Sequence, residues 1–112
     1  MAIQREYRLK NRSSFSYIYK HGDYKVLKLL TLYVVPANNL KIGIAVGKKV
    51  GNSVIRSLVK RRIGERMRLL IPSLDSKKNY VIIARPEAKD ATSAQFEKEL
   101  KYALNALKCF KE

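Results

Sequence analysis

The chain has 112 residues and a formal net charge of +15, because 24 Lys and Arg residues face only nine Asp and Glu residues. Its hydrophobic content of 46% excludes a disordered chain, and its length fits one domain with a core. The longest apolar runs, near 29–35 and 42–46, are too short to cross a bilayer, so the polyanion that this charge would attract is nucleic acid and not a membrane.

The beginning of the chain is basic and nearly free of large apolar side chains, which predicts an N-terminal arm over residues 1–12. This segment lacks the apolar stretch of a secretory signal. Cys109 is the only cysteine, which excludes an internal disulfide or a cysteine metal site and is typical of the reducing cytoplasm. We expect one domain over residues 1–112, located in the cytoplasm.

A short helix is predicted over residues 13–20, where a serine pair can cap the N-terminus and apolar residues recur three and four positions apart. Gly22 is placed to end this helix in the C′ position. Two extended segments follow, 26–35 and 40–46, with a proline-containing break between them. Together they predict an antiparallel hairpin with a longer loop.

A strongly basic helix is predicted from an Asn52-Ser53 cap to about Leu70. Within residues 48–68 only Glu65 opposes the bases, whereas a solvated helix face usually mixes the two signs. The bases are Lys48, Lys49, Arg56, Lys60, Arg61, Arg62, Arg66 and Arg68. A basic helix that also has an apolar side to dock can present its charge to phosphates, so we expect nucleic-acid binding.

The apolar side of this helix is an arc that would dock on the sheet. Its members are Ile55, Leu58, Val59, Ile63, Leu69 and Leu70. Arg62 and Arg66 fall inside the same arc, where an unpaired charge would be costly. The sequence offers no account of them beyond long stems that can reach the margin of a core.

A strand at 80–85 and an amphipathic helix at 93–108 complete the predicted elements. The order α-β-β-α-β-α predicts a single-domain α+β sandwich, in which helices pack on a small mixed sheet.

The segment that leads into the basic helix is a second indication of nucleic-acid binding. Lys48, Lys49 and Asn52 stand between a strand and a helix N-terminus, where positive charge and free N–H groups can hold a phosphate. The glycine spacing excludes a nucleotide-binding P-loop.

Aromatic residues of the N-terminal half, including Phe15, Tyr19 and Tyr33, are interleaved with bases such as Arg8 and Lys10. Single-stranded nucleic acid is often held by aromatic faces beside cations. From the spacing alone, a core role for Phe15 and Tyr19 is favoured over base stacking.

Groups for catalysis are missing from the sequence. His21 is the only histidine and the nine acids are scattered, so we predict no catalytic residue and no metal ligand. If the protein takes part in chemistry, another molecule supplies the reactive groups.

Four segments of the chain occur in an order typical of one family. Residues 8–22 place two aromatics four positions apart before a Lys-His-Gly turn, and Leu32-Tyr33 lies in the next extended segment. The run at 48–61 (KKVGNSVIRSLVKR) and the strand at 80–85 (YVIIAR) complete the pattern. In these segments, which span nearly the whole chain, it resembles the protein component of bacterial ribonuclease P.

One part of the family's basic signature differs here. The signature contains an Arg-Asn-Arg triplet, and this chain has Arg56, Ser57 and Leu58 at those positions. Arg62 provides a base farther along, so positive charge is moved along the helix and not lost. The departure bears on the detailed RNA contacts.

The resemblance implies an α+β fold similar to ribosomal protein modules, with a left-handed crossover through the basic helix. It also implies a function: binding a catalytic RNA, ribonuclease P RNA, and assisting the Mg²⁺-dependent removal of the 5′ leader from precursor tRNA. The RNA would carry the catalysis, and Mg²⁺ would be bound mainly by the RNA and the substrate. No stable protein partner is expected.

The resemblance further assigns residues to the two RNA molecules. Contacts with the catalytic RNA are expected from Lys48, Lys49, Asn52, Arg56, Lys60, Arg61 and Arg68. Contacts with the precursor tRNA leader are expected from Arg8, Lys10, Phe15, Tyr19 and Tyr33. The main alternative is a ribosomal or other structural RNA-binding protein, which would share fold and charge but have no role in cleavage.

Overall fold

A computed structural model describes residue 3 and residues 5–111 of the chain. The strands are β1 (Asp23–Val26), β2 (Leu30–Pro36), β3 (Lys41–Val46) and β4 (Lys78–Ala84). The helices are α1 (Arg12–His21), α2 (Ser53–Leu70) and α3 (Ser93–Ala106), with short 3₁₀ turns at Arg5–Tyr7, Ile71–Ser73 and Pro86–Asp90. This is the mixed α+β architecture that the sequence predicts, with one strand more.

The four strands form one sheet in the order β1-β2-β4-β3. β4 pairs antiparallel with β2 and parallel with β3, so the last strand in the chain is a central strand of the sheet. The predicted hairpin between 26–35 and 40–46 is therefore wrong, because β2 and β3 flank β4 and do not pair. The hairpin that forms joins β1 to β2, and the N–H of Leu27 donates to the carbonyl of Leu30 at 2.9 Å in its turn.

The connection from β3 through α2 to β4 is a β-α-β unit with parallel strands. The left-handed crossover that the resemblance implies stays a prediction. The outer edge of β3 is covered by the N-terminal segment, where the N–H of Leu9 donates to the carbonyl of Ile42 at 2.9 Å. Of the predicted arm over residues 1–12, residues 1, 2 and 4 lie outside the described residues, and Ile3 is buried.

The two faces of the sheet are covered unequally. α2 and α3 pack on one face, where Leu32, Tyr80 and Ile82 are fully buried in the main core. On the other face, Ile18 of α1 packs against Val35 and Val81, and these three residues form a smaller apolar cluster. Because α1 is short, part of this second face stays open.

Both ends of α1 differ from the prediction. The N-cap is Asn11 and makes no side-chain capping bond, and the two serines expected to cap the helix lie inside its first turn. Gly22 ends the helix with φ −78° and ψ 151°, not in the left-handed C′ conformation. A glycine is needed for a different reason: a Cβ there would lie 2.6 Å from the carbonyl oxygen of Ile18.

The basic helix α2 begins as the sequence predicts. The Oδ1 atom of Asn52 accepts a hydrogen bond from the N–H of Ile55 at 3.0 Å. The buried side is narrower than the predicted arc, because Leu69 is 56% exposed and Leu58 is only half-buried. The fully buried side chains of the helix are Val59, Ile63 and Met67.

Two arginines that the sequence leaves unexplained are held by the segment around α3. Nη1 of Arg62 donates to the carbonyl of Ala91 at 2.8 Å, and Nη1 of Arg66 lies 3.8 Å from Oε1 of Glu97. Both side chains are half-buried, with their stems at the margin of the core. One terminal nitrogen of each lies near an oxygen, whereas Nε of Arg66 is buried with no hydrogen-bond partner among the described residues. Arg66 therefore links α2 to α3, and Arg62 links α2 to the segment just before α3.

Replacing Arg62 with alanine is expected to lower the free energy of unfolding by about 1–2 kcal/mol, because the carbonyl of Ala91 loses a charged donor in a partly buried place. Denaturant unfolding would measure the loss. The matched control is Arg61→Ala, which removes an exposed neighbour and should change stability by no more than about 0.5 kcal/mol. Equal losses for both variants would contradict this role of Arg62.

The end of the described chain packs beside the start of β4. The hydroxyl of Tyr80 donates to the carbonyl of Asp75 at 2.7 Å, and the N–H of Asp75 donates to the carbonyl of Cys109 at 2.7 Å. Cys109 is buried, and burial raises the pKa of its thiol to about 11. A thiol that stays protonated at neutral pH is a packing residue and not a nucleophile. No helix in the described residues is long and apolar enough to cross a membrane.

Candidate nucleic-acid interface

Four aromatic side chains form a continuous row across the open face of the sheet. Ring centroids are 6.3 Å apart for Phe15 and Tyr19, 5.3 Å for Tyr19 and Tyr33, and 5.6 Å for Tyr33 and Tyr24. We call these four residues the aromatic row. The row runs from α1 to the edge strand β1, because Tyr33 and Tyr24 are register partners on β2 and β1.

The first ring of the row rests on the backbone of β3. A Cβ added at Gly43 would lie 2.5 Å from Cζ of Phe15, so only glycine lets this ring approach the strand so closely. Phe15 is half-buried, whereas Tyr19 is 41% and Tyr24 is 61% exposed. The row is thus anchored at Phe15 and most open at Tyr24 on β1, with Tyr33 half-buried between the more exposed Tyr19 and Tyr24.

The predicted preference for a core role of Phe15 and Tyr19 holds only in part. Phe15 packs on the smaller cluster at its inner end, but the buried core residue of α1 is Ile18. Burial, with a smaller contribution from nearby Tyr33, raises the pKa of Tyr19, so its phenol is neutral at physiological pH. Neutral, partly exposed rings are suited to stacking with nucleobases.

The basic residues of α2 divide into two sets. Arg61 and Arg68 are exposed, whereas Arg56 and Lys60 are half-buried beside Ile44, on the side of the helix that faces β3. Nε of Arg56 is buried and has no hydrogen-bond partner among the described residues. Arg56 and Lys60 therefore carry their charge close to the sheet.

The lead-in to α2 has the exposed bases that the sequence predicts. Lys48 and Lys49 lie in a turn that is closed by a 3.1 Å hydrogen bond from the N–H of Val50 to the carbonyl of Gly47. Val50 is buried and holds the turn against the core. The side chain of Asn52 is used as the helix cap, so it occupies one of the N–H groups that were expected to be free for phosphate.

Near the N-terminal segment, residues assigned to the leader lie beside a residue assigned to the catalytic RNA. Arg8, Phe15, Gly43 and Lys60 line one cavity of about 250 Å³ between α1, β3 and α2. Nε of Arg8 donates to the carbonyl of Ile3 at 3.1 Å, which leaves its terminal nitrogens for other partners. The arrangement joins one end of the aromatic row to the basic helix.

The remaining predicted residue, Lys10, is exposed next to the Arg8 segment. Tyr24 is a member of the row that the residue assignments from sequence omit. Its strand is only four residues long and two of the four are charged. The sequence therefore gives little sign of a strand that would place Tyr24 opposite Tyr33.

The described residues contain no cluster of three His, Cys, Asp or Glu side chains that could hold a metal ion. His21 is exposed at the end of α1, where its ring centroid lies 4.7 Å from that of Tyr17. The groups that the described interface offers are cations and aromatic rings, which suit contact with phosphates and bases.

Comparison with known proteins gives one consistent result. A family model described as Ribonuclease P matches residues 3–108. The ribonuclease P protein component of Alkaliphilus metalliredigens is 38% identical, over 95% of this chain and 97% of its own length. That of Staphylococcus carnosus is 34% identical over 96% of each. The solved structure of the Staphylococcus aureus RNase P protein superposes with a TM-score of 0.84 at 32% identity, covering 94% of this chain and 98% of that one.

Proposed function

The chain belongs to the ribonuclease P protein family, and we propose that it holds the 5′ leader of precursor tRNA on its aromatic row while α2 contacts ribonuclease P RNA. As a member of that family it serves in the processing of tRNA 5′ ends, as the protein component of an endoribonuclease. The proposal concerns how the residues of this chain divide that work.

One observation carries the division of labour. The cavity lined by Arg8, Phe15, Gly43 and Lys60 connects the aromatic row to the basic helix. If the catalytic RNA is bound along α2, the leader of a precursor tRNA beside it can pass directly onto the aromatic row. Base stacking on an aromatic ring is tolerant of sequence, which suits leaders of many sequences.

The expected contacts follow from exposure and charge. The catalytic RNA would be contacted by Lys48, Lys49, Asn52, Arg56, Lys60, Arg61 and Arg68, and the leader by Arg8, Lys10, Phe15, Tyr19, Tyr33 and Tyr24. Bringing two RNA molecules together concentrates negative charge, which must be screened by cations. A protein with a net charge of +15 at the junction would reduce the Mg²⁺ needed for that screening.

Catalysis in this proposal belongs to the RNA. The nine acidic residues are scattered along the sequence, and in this proposal the Mg²⁺ ions are held by phosphates of the RNA and the substrate. The residues of this chain bind and orient, and they do not touch the reacting phosphate. A cytoplasmic location follows from this role and is part of the same proposal.

The decisive experiment is cleavage of precursor tRNA by a bacterial ribonuclease P RNA at low Mg²⁺, with and without this protein. Accurate removal of the leader only when both are present would support the proposal. Tight RNA binding without stimulation would instead support the alternative, a structural RNA-binding protein of the ribosomal type. Cleavage by the protein with no RNA would overturn the assignment of catalysis to the RNA.

A further inference from the structure

A second group of basic residues lies across the sheet from the aromatic row, where β1 meets α3. Lys98, Lys101 and Tyr102 are exposed on α3, and helical spacing places them on neighbouring turns. Nζ of Lys25 on β1 lies 5.7 Å from the centroid of the Tyr102 ring. Tyr102 is 58% exposed. The ring therefore has a free surface for a ligand in addition to the cation beside it.

Next to this ring is a groove of about 320 Å³ between α3 and the β1–β2 turn. It is lined by Leu27, Lys28, Lys98 and Tyr102, among others, and combines an apolar floor with cations at its rim. Glu99 also borders the groove, but its Oε1 accepts a hydrogen bond from the N–H of Leu29 at 3.0 Å. That bond directs the carboxylate towards the backbone of the turn.

The groove is held in shape by the protein itself. Besides the bond to Glu99, the N–H of Arg85 donates to the carbonyl of Leu29 at 2.8 Å. Nη1 of Arg85 donates to the carbonyl of Leu27 at 3.1 Å. A turn tied at three points loses little conformational freedom when a ligand binds, which favours affinity.

The groove and the aromatic row are separated only by the edge strand β1. Tyr24 and Lys25 are successive residues of that strand, so their side chains point to opposite faces of the sheet. Tyr24 is the last ring of the row, and Lys25 points to the face on which its Nζ lies near the ring of Tyr102. A single strand of RNA that follows the row away from α2 therefore arrives at Lys25 after crossing one strand.

We propose that the 5′ leader continues past the aromatic row, over β1, and stacks a base farther from the cleavage site on Tyr102 in this groove. The proposal rests on the proposed function, because it extends the path of the same leader. Its occupant is single-stranded RNA: the rim is cationic, and an exposed tyrosine beside lysines is the combination that holds such a strand. Longer leaders would then bind more tightly than short ones.

The test compares precursor tRNAs with leaders of roughly 4 and about 15 nucleotides, lengths that span typical single-strand site sizes. Equilibrium binding is measured with the assembled protein–RNA complex under conditions that prevent cleavage. Tyr102→Ala should weaken binding of the long-leader substrate about fivefold to a hundredfold, the range expected for one lost stacking contact, and leave the short-leader substrate unchanged. Tyr102→Phe, which keeps the ring, should bind both as the unaltered protein does.

Tyr17→Ala is the matched control, because Tyr17 is also 58% exposed but lies on α1 beside His21, away from the groove. It should leave both substrates unchanged. Equal weakening of the two substrates by Tyr102→Ala, or no weakening of the long one, would overturn the groove as a leader site. Failure of the proposed function gives a different result: the unaltered protein would then not favour even the short-leader precursor over mature tRNA.

Discussion

Replacing Arg56 and Lys60 together with alanine is expected to reduce the salt dependence of binding to ribonuclease P RNA, by about 1.4–1.8 in the slope of log K against log salt if each contacts one phosphate. Both side chains are half-buried between α2 and β3, and Nε of Arg56 has no protein partner among the described residues. Both side chains keep part of their surface exposed, so their charged ends can meet an RNA phosphate. Binding titrations between low and moderate salt would measure the slope.

The matched control for this pair removes the same charge elsewhere. Lys77 and Lys111 are exposed and lie at the other end of the sheet, near the start of β4. Their double replacement with alanine should leave the slope nearly unchanged, whereas an equal reduction would mean that total charge matters and position does not. An unchanged slope for Arg56→Ala with Lys60→Ala would remove these two residues from the interface.

Phe15→Ala is expected to weaken binding of precursor tRNA about fivefold to a hundredfold and to leave binding of mature tRNA unchanged. The ring starts the aromatic row and rests on Gly43, so its removal takes away both a stacking surface and the anchor of Tyr19. Affinities of the assembled complex for the two tRNA forms give the ratio directly.

Two companion variants separate stacking from packing. Ile18→Ala, on the same helix, opens a cavity beside Val35 and Val81 and should lower stability by about 2–4 kcal/mol without selectivity for the precursor. Gly43→Ala should act like Phe15→Ala, because the added Cβ would displace the ring while most of the core is untouched. Equal weakening of precursor and mature tRNA by Phe15→Ala would assign this residue to the core.

The sequence predicted the elements whose signals are local. The predicted cap of α2 at Asn52 is confirmed. It was predictable because one side chain and the next turn of backbone determine it. The family is likewise confirmed. Its motifs are short runs of adjacent residues, which can be read directly from the sequence. The contacts of the assigned interface residues with RNA stay predictions.

Partnerships between distant segments were harder to predict. Alternation indicates that β2 and β3 are strands, but it carries no information on which strands pair, and the insertion of β4 between them was missed. The same limit applies to Arg62 and Arg66, whose acceptors are on or beside α3 and about 30 residues away. Leu69 was assigned to the buried arc because an ideal apolar face was assumed, whereas α2 buries a narrower strip.

The place of β4 in the sheet has a consequence for the order in which the protein can be assembled during synthesis. Apart from the groove at Tyr102, every residue assigned to either RNA is translated before Lys78, yet β2 and β3 are joined into one sheet only through β4, which lies between them. A nascent chain that has reached the end of α2 thus carries the bases and the rings without the scaffold that arranges them. Ordered RNA-binding geometry should arise late and in one step, after residues 78–84 have emerged from the ribosome.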